Sequence, residues 1–518
     1  MLDILIKGGR VIDGSGNPWY YGDVGISGGK IVELGEVTGE AELVMDAGSK
    51  FVSPGFIDIH SHMDLYLLHD RSDTPKVRQG ITTEVLGNCG LALAPTSPEK
   101  HDTLRFCFEE VLGDFRIPWE WRTIEEYLEK IEPVGVNVCH LVGHMPIRIE
   151  VIGGDARPAT DPEIEEMKEL VRAGMEAGAV GFATGLTYHP TCFSETKEVL
   201  ELAKVAAEYD GIFSIHQRRW GSGFRDSLDE AVLVGREAGM PVDFAHMVPI
   251  DALTPDEVIE YVEQVRKEGV DFSYDVIPGP EMDTLMRDLL PYWMREGEDR
   301  KEILERFKDP ENRKRILKDY ENETNVPYPF GGWDAITVGR TVTEKWKEGL
   351  TILELAEKEG KAPIDSYCDL FVENGLRQTR WFDLNPEEDL IKFIKDPHSL
   401  IMSDAFLFER SNNQLTYGTY AKFLGHYVGE QKVMTIEEGI RKITSHPANR
   451  LKLKDRGVLL EGMAADVVIF DLKEVRDTSS RLQPGLAEGI DYVLVNGEVV
   501  VEDGSLTYKL PGKLLRKQ

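Results

Sequence analysis

The feature that most constrains the fold is a series of eight short apolar segments that alternate with helical patterns. Such alternation is typical of βα units arranged around a parallel sheet. The candidate strands are Gly55 to His60, Ile81 to Leu86, Val136 to Val142, Val180 to Thr184, Gly211 to His216, Pro241 to His246, Val270 to Val276 and Leu400 to Asp404. Eight is the number of strands that closes a (β/α)8 barrel. The sequence therefore predicts an α/β fold of the TIM-barrel type.

Helix starts between these segments are marked by capping boxes, in which a Ser or Thr precedes a Glu by three residues. The pairs are Thr123 with Glu126, Ser227 with Glu230, Thr254 with Glu257 and Thr435 with Glu438. After Thr254, apolar Val258, Val262 and Val265 recur on one helical face. We expect that face to pack onto the sheet.

The two chain ends have a different sequence pattern, in which short β-like runs are separated by glycine. We predict that residues 1–53 and 446–518 together form one small β-sandwich domain, and that residues 54–445 form the barrel. The stretch from about 281 to 398 is too long for one crossover. It is interpreted as a largely helical insertion near the barrel mouth.

Composition excludes several classes of partner. The chain has 59 Lys and Arg against 92 Asp and Glu, a net charge of −33, which opposes binding to nucleic acid or to an anionic membrane surface. Its five cysteines are scattered and odd in number, so no disulfide framework is expected. Without a signal-like or membrane-spanning apolar run, the prediction is a cytoplasmic protein that acts on a small molecule. Assembly into a homo-oligomer stays open.

Histidines fall at the carboxyl ends of the predicted strands. His60 and His62 follow the first strand, His216 closes the fifth and His246 closes the sixth. In a parallel barrel these ends meet at the face where active sites are built. His60 and His62 are two residues apart on an extended segment, so both can point toward one ion.

Two further candidates lie at the same face: Cys89 just past the second strand and Asp404 at the end of the eighth. Imidazoles, a thiolate and a carboxylate suit zinc at neutral pH. Such an ion would acidify water and polarise a carbonyl group, and Asp404 is the candidate acid/base that moves the proton. His144, near the end of the third strand, is placed in the pocket wall.

At these residues the sequence resembles the N-acyl-D-amino-acid deacylase (D-aminoacylase) branch of the amidohydrolase superfamily. The similar segments cover most of the chain: residues 54–64 with His-Ser-His, 80–90 with Asn-Cys-Gly, 142–144, 178–188, Tyr417-Gly418-Thr419 and 462–466. His-x-His marks the superfamily, whereas Asn-Cys-Gly at this position is more specific to the branch.

The resemblance implies a zinc-dependent hydrolase of C–N amide bonds other than peptide bonds. It implies that Cys89, His216 and His246 hold the tighter zinc, that His60 and His62 contribute to a second, weaker site, and that Asp404 is the catalytic acid/base. Many relatives outside the branch bridge two metals with a carboxylated lysine on the fourth strand. Here that strand ends Phe182-Ala183-Thr184, which fits Cys89 as the bridging ligand.

The sequence departs from the branch where relatives hold the substrate's α-carboxylate. In the branch a lysine, a tyrosine and an arginine do so, and these positions are Val248, Ile277 and Leu415 here. Tyr188 is the candidate anchor that remains. We therefore expect an amide substrate without that carboxylate. A cyclic amide, carbamate or urea-type substrate is the alternative, and a metal-binding pseudoenzyme is a third hypothesis.

Overall fold

The computed structural model describes residues 1–108, 115, 117–250, 252–383, 386–407, 413–481 and 483–517. Within these residues the strands, in chain order, are β1 (Leu2–Val11), β2 (Tyr20–Ser27), β3 (Lys30–Gly35), β4 (Ala41–Asp46), β5 (Phe51–Pro54), β6 (Phe56–Asp58), β7 (Ile81–Leu86), β8 (Asn137–Gly143), β9 (Gly181–Gly185), β10 (Ile212–His216), β11 (Val242–Phe244), β12 (Phe272–Val276), β13 (Glu281–Leu285), β14 (Thr337–Val338), β15 (Thr379–Asp383), β16 (Ser399–Ile401), β17 (Val467–Phe470), β18 (Ile490–Val495), β19 (Glu498–Glu502) and β20 (Ser505–Leu506).

Helices follow most of the barrel strands. They are α1 (Tyr66–His69), α2 (Thr74–Val77), α3 (His101–Phe108), α4 (Ile124–Ile131), α5 (His144–Ile152), α6 (Asp161–Glu176), α7 (Thr196–Glu208), α8 (Phe224–Ala238), α9 (Pro255–Lys267), α10 (Arg300–Arg306), α11 (Pro310–Glu321), α12 (Ile352–Glu359), α13 (Pro363–Asn374), α14 (Glu387–Lys395), α15 (Gln414–Lys422), α16 (Ile436–Ile443) and α17 (Ser445–Arg450), with a π-helical turn at Phe423–Glu430.

The central sheet contains the eight predicted strands, all parallel, in the order β16-β12-β11-β10-β9-β8-β7-β6. Its two edge strands meet just beyond their carboxyl ends, where the His62 amide donates to Ala405 O (2.8 Å) and the Asp404 amide donates to His60 O (3.0 Å). The predicted barrel is confirmed. Its closure lies at the residues predicted to carry the chemistry.

Strands from both chain ends share one sheet, in the order β20-β19-β18-β17-β5-β1-β2-β3 with β4 beside β1. The first and last segments join where β5 pairs antiparallel with β17. This sheet has an apolar core of its own that includes Ile6, Val52 and Val467. The prediction that the two ends form a β domain together is confirmed.

The insertion contains strands as well as the predicted helices. Beside α10 to α14 it contains a three-stranded antiparallel sheet in the order β13-β15-β14. The sequence did not predict these strands because β14 has two residues and the others five, too few to establish a period.

Three of the four predicted helix starts are confirmed. The capping boxes of α4 and α9 form as predicted, and the Thr435 side chain accepts from the Glu438 amide at the start of α16. Ser227 is not a cap, since α8 begins three residues earlier and the Ser227 hydroxyl donates to Gly223 O. Val258, Val262 and Val265 are buried.

Candidate active site

Six side chains converge at the carboxyl face of the barrel. Their potential ligand atoms form three overlapping groups, each with every atom within 4.8 Å of the others: His60 with His62 and Cys89, Cys89 with His216 and His246, and His60 with His246 and Asp404. Cys89 Sγ lies at the centre, 3.2 Å from His60 Nε2, 3.5 Å from His216 Nδ1 and 3.3 Å from His246 Nε2. The thiol is therefore shared by two of the three groups.

Cys89 reaches this position through a tight turn against the fourth barrel strand. The Asn88 side-chain amide donates to Val85 O (2.8 Å), which fixes the turn to the end of β7. A Cβ atom on Gly185, at the end of β9, would lie 2.3 Å from Cys89 O. Glycine is therefore required at position 185 for the turn to pack so closely.

Three members of the cluster have left-handed backbone conformations, with φ of 54° at Cys89, 37° at His246 and 51° at Asp404. Each such conformation costs a non-glycine residue about 1–3 kcal/mol and persists only where the surroundings enforce it. The strain is concentrated at the ends of three barrel strands, as expected where chemistry requires a particular side-chain direction.

Asp275, at the end of β12, orients the cluster from behind. Its carboxylate lies 2.9 Å from His60 Nδ1 and also accepts the backbone N–H of His246. A proton held on Nδ1 leaves the lone pair of His60 Nε2 facing Cys89. A carboxylate paired in this way with a histidine is common behind metal ligands. Our sequence analysis missed this role, although the position of Asp275 at a barrel strand end was a usable signal.

The protonation states fit a metal ion. Burial lowers the pKa of His60, of His62 and, to about 4, of His246, so the imidazoles are neutral and can donate lone pairs. Burial raises the pKa of the Cys89 thiol well above its usual range. A thiolate in this position needs a compensating positive charge, which a divalent ion supplies.

Asp404 is 5% exposed and stands between the two first-strand histidines. Its Oδ1 is 3.2 Å from His62 Nε2 and 3.5 Å from His60 Nε2. Burial alone would raise the pKa of Asp404, but the hydrogen bond with His62 acts in the opposite direction, and the pKa lies below its usual range. The carboxylate is therefore ionised and can accept a proton.

A mostly apolar pocket opens above the cluster. Besides His62, His216, His246 and Asp404, its lining consists of Tyr188, Trp220, Val248, Ile250, Met282, Thr284, Leu285, Asp288, Tyr328, Phe382 and Phe406. The Tyr188 hydroxyl lies 3.2 Å from His216 Nδ1, so this side chain joins the pocket wall to the cluster. Several of the lining residues belong to the insertion, and sequence patterns had not indicated them.

Of the residues predicted to bind substrate, Tyr188 and Val248 line this pocket. The other three lie elsewhere. Ile277 and Leu415 are buried with Ile59 and Met402 in an apolar core. His144 is fully buried behind the wall, with Nδ1 2.8 Å from Thr184 Oγ1 and Nε2 2.8 Å from Glu198 Oε1. Its ring is fixed there because both nitrogens have partners.

Known proteins similar to this chain identify its family. The model of the amidohydrolase family matches residues 43–287 and 393–501, more than half of the chain. The chain belongs to the amidohydrolase family. The N-acyl-D-glutamate deacylase of Alcaligenes xylosoxydans xylosoxydans is 30% identical over 521 residues, which cover 100% of this chain and 97% of the relative. The D-aminoacylase of the same organism is 29% identical, with 100% and 98% covered.

Solved structures agree. An N-acyl-D-glutamate deacylase from Bordetella bronchiseptica, in complex with zinc and a phosphonate mimic of the tetrahedral intermediate, superposes with a TM-score of 0.80 at 28% identity over 99% of both chains. A D-aminoacylase structure gives 0.82 at 28% identity over 100% of both. This amidohydrolase is thus a metal-dependent hydrolase of C–N amide bonds of the D-aminoacylase type, as the sequence predicted. No helix among its described residues has the length and apolar character needed to cross a membrane.

Proposed function

We propose that this amidohydrolase uses zinc to hydrolyse an N-acylated amine that lacks the free α-carboxylate of an N-acyl-D-amino acid. One observation carries the proposal: among the described residues that line the pocket, none is a lysine or an arginine. A buried carboxylate without a cation or several donors costs several kcal/mol in desolvation. The apolar Val248 is in the wall where relatives have the lysine.

Two arginines lie near the pocket but outside its lining. Arg218 pairs with Glu230 at 2.8 Å. The Arg380 guanidinium lies 4.2 Å from the centre of the Phe382 ring and lines the adjoining groove. Neither arginine is among the described residues that line the pocket.

Cys89, His216 and His246 are the residues that would hold the tighter zinc, and His60 and His62 those of a weaker second site. The sulfur and nitrogen donors suit zinc. When bound, the ion lowers the pKa of water and polarises the substrate carbonyl. The central position of the Cys89 sulfur, in contact with both groups, supports its role as the ligand they share.

Asp404 is the proposed general acid/base. Its ionised carboxylate lies at the cluster and on the pocket lining, so it can accept a proton from the attacking water and deliver it to the leaving nitrogen. The Tyr188 hydroxyl, beside His216, can donate a hydrogen bond to the substrate's carbonyl oxygen and so orient the scissile bond.

The test compares acetate release from N-acetyl-D-leucine, its carboxamide and its descarboxy analogue, N-(3-methylbutyl)acetamide, at equal zinc loading. We expect kcat/KM for the free acid to be lower than for the neutral compounds by at least about 10²-fold, since its carboxylate has no partner. Metal-free enzyme, checked by elemental analysis, is the blank. A clear preference for the free acid would show that another cation holds it and that the proposal is wrong.

A further inference from the structure

One lining residue of the pocket carries a charge that the hydrolysis of a neutral amide does not require. Asp288 lies in a short 3₁₀ turn, Met286–Leu289, directly after β13. It is 2% exposed and lines the same pocket as Asp404 and Tyr188. The pocket wall thus contributes an acidic side chain and, among its described residues, no lysine or arginine.

The contacts of Asp288 leave one oxygen available. Oδ1 is 3.8 Å from Arg295 Nη1, which donates its own hydrogen bond to Thr187 O at 2.6 Å. Oδ2 is buried and has no hydrogen-bond partner within the described part of the chain. Buried carboxylate oxygens are nearly always satisfied, so a donor from outside the chain is the expected partner.

Burial and the neighbouring charges have opposite effects on the pKa of Asp288. Burial raises the pKa of Asp288, although Arg287, Arg295 and Arg380 partly counteract it. None of these arginines is on the pocket lining. A cation that enters the pocket would therefore approach Asp288 from a side that none of the three arginines lines.

The rest of the wall suits a cation. Tyr188, Trp220 and Phe406 line the same pocket as Asp288. The Tyr328 and Phe382 rings line it too, and each has the Arg380 guanidinium on one side, 5.1 Å and 4.2 Å from the ring centres. Aromatic faces attract alkylammonium and guanidinium groups and replace part of the water these cations lose. A carboxylate in an aromatic pocket is thus a chemically complete site for a cation.

Building on the proposed function, we propose that Asp288 and the surrounding aromatic wall select amides whose amine part carries a second, positively charged group, an ammonium or guanidinium. The negative charge of the whole chain, −33, favours the approach of such substrates. Asp288 takes no part in the hydrolytic step. It sets specificity by pairing with the cation.

The experiment measures acetate release from matched N-acetyl amines with chains of three to five carbons that end in ammonium, hydroxyl, methyl or carboxylate. We expect the wild type to favour the ammonium compounds. In Asp288→Asn, kcat/KM for them should fall at least about 30-fold, the scale for removing one partner of a buried charge pair, and change by less than about threefold for the methyl compounds.

Asp256→Asn is the matched control, because Asp256 lines the adjoining groove and pairs with Lys392. It removes the same charge outside the pocket and should leave selectivity unchanged. A second readout is competitive inhibition of the neutral substrate by n-butylammonium, which Asp288→Asn should weaken by a similar factor. Melting temperature and zinc content confirm that each variant is folded and loaded.

The outcomes separate the two proposals. If no acylated amine in the series is hydrolysed, the proposed function fails. If the methyl compounds are hydrolysed but the wild type shows no ammonium preference, or Asp288→Asn keeps that preference, Asp288 is only a structural partner of Arg295 and the inference is overturned. Loss of turnover of every compound by a folded, zinc-loaded Asp288→Asn would overturn it too.

Discussion

The two sides of the active site differ in how they are built. The side proposed to bind metal comes from the ends of barrel strands, where His216 and the other candidate ligands follow the parallel hydrogen-bond ladder. The facing wall comes largely from the insertion, with Asp288, Tyr328 and Phe382. The family model matches up to residue 287 and resumes at 393, so these three residues lie outside the matched segments. The candidate metal-binding residues thus lie in the segments that the family model matches, and these wall residues lie outside them.

This contrast follows from the physics of each region. A ligand at a strand end is fixed in direction by its neighbours, and an error of about 1 Å there costs catalysis heavily. A wall of apolar side chains tolerates exchange as long as volume and polarity suit the substrate. Substitutions at the strand ends should therefore impair metal binding or catalysis, whereas substitutions in the wall should change the substrate preference.

The largest effect is expected from removing a central ligand. His246→Ala should abolish tight zinc binding and with it activity, since it deletes one nitrogen of the Cys89 group while the barrel remains folded. Elemental analysis and circular dichroism measure both properties. His426→Ala is the matched control, because His426 lies at the surface beside Glu387. Stoichiometric zinc in His246→Ala would mean that the metal lies elsewhere.

A smaller effect on the same side is expected from Asp275→Asn. The variant removes the charge that orients His60 through Nδ1, and outer partners of metal ligands are typically worth about 10–100-fold in metal affinity. Competition with a chelator of known affinity measures the change. An unaltered zinc affinity would show that His60 is oriented without Asp275 or contributes little to binding.

The sequence was sufficient to predict that the candidate metal ligands converge, and insufficient to predict the wall. Histidines at the ends of apolar runs predict their own convergence, because parallel strands bring their carboxyl ends to one face. Nothing local relates Tyr328 or Asp288 to that face, since their placement depends on how the insertion folds over it. Ile277 and Leu415 were predicted to contact the substrate, but both are buried in an apolar core and neither lines the pocket.

His144 is the opposite case, a residue that was predicted to line the pocket and lies outside it. Its position after the third strand suggested the pocket, yet it pairs with Thr184 and with Glu198, which also accepts from Arg148. His144 is the first residue of α5 and is buried outside the pocket lining. Spacing alone does not distinguish a side chain that enters the site from one that supports it.

The smallest effect on catalysis is therefore expected from His144→Ala. It should change kcat/KM of the zinc-loaded enzyme by less than about threefold, but lower the free energy of unfolding by about 2–4 kcal/mol, because Glu198 and Thr184 lose a buried partner and a cavity forms. Denaturant unfolding measures the second quantity. A loss of turnover at unchanged stability would place His144 among the residues that contact the substrate.

The central claim is that Asp404 carries the proton at a metal centre built from strand ends. Its most direct test is kcat of Asp404→Asn on a hydrolysed neutral amide, with zinc content measured on the same sample. The account predicts that the variant keeps its zinc and its fold while kcat falls by about 10²–10⁴-fold, the scale for losing a positioned acid/base. An unchanged kcat in the zinc-loaded variant would contradict it.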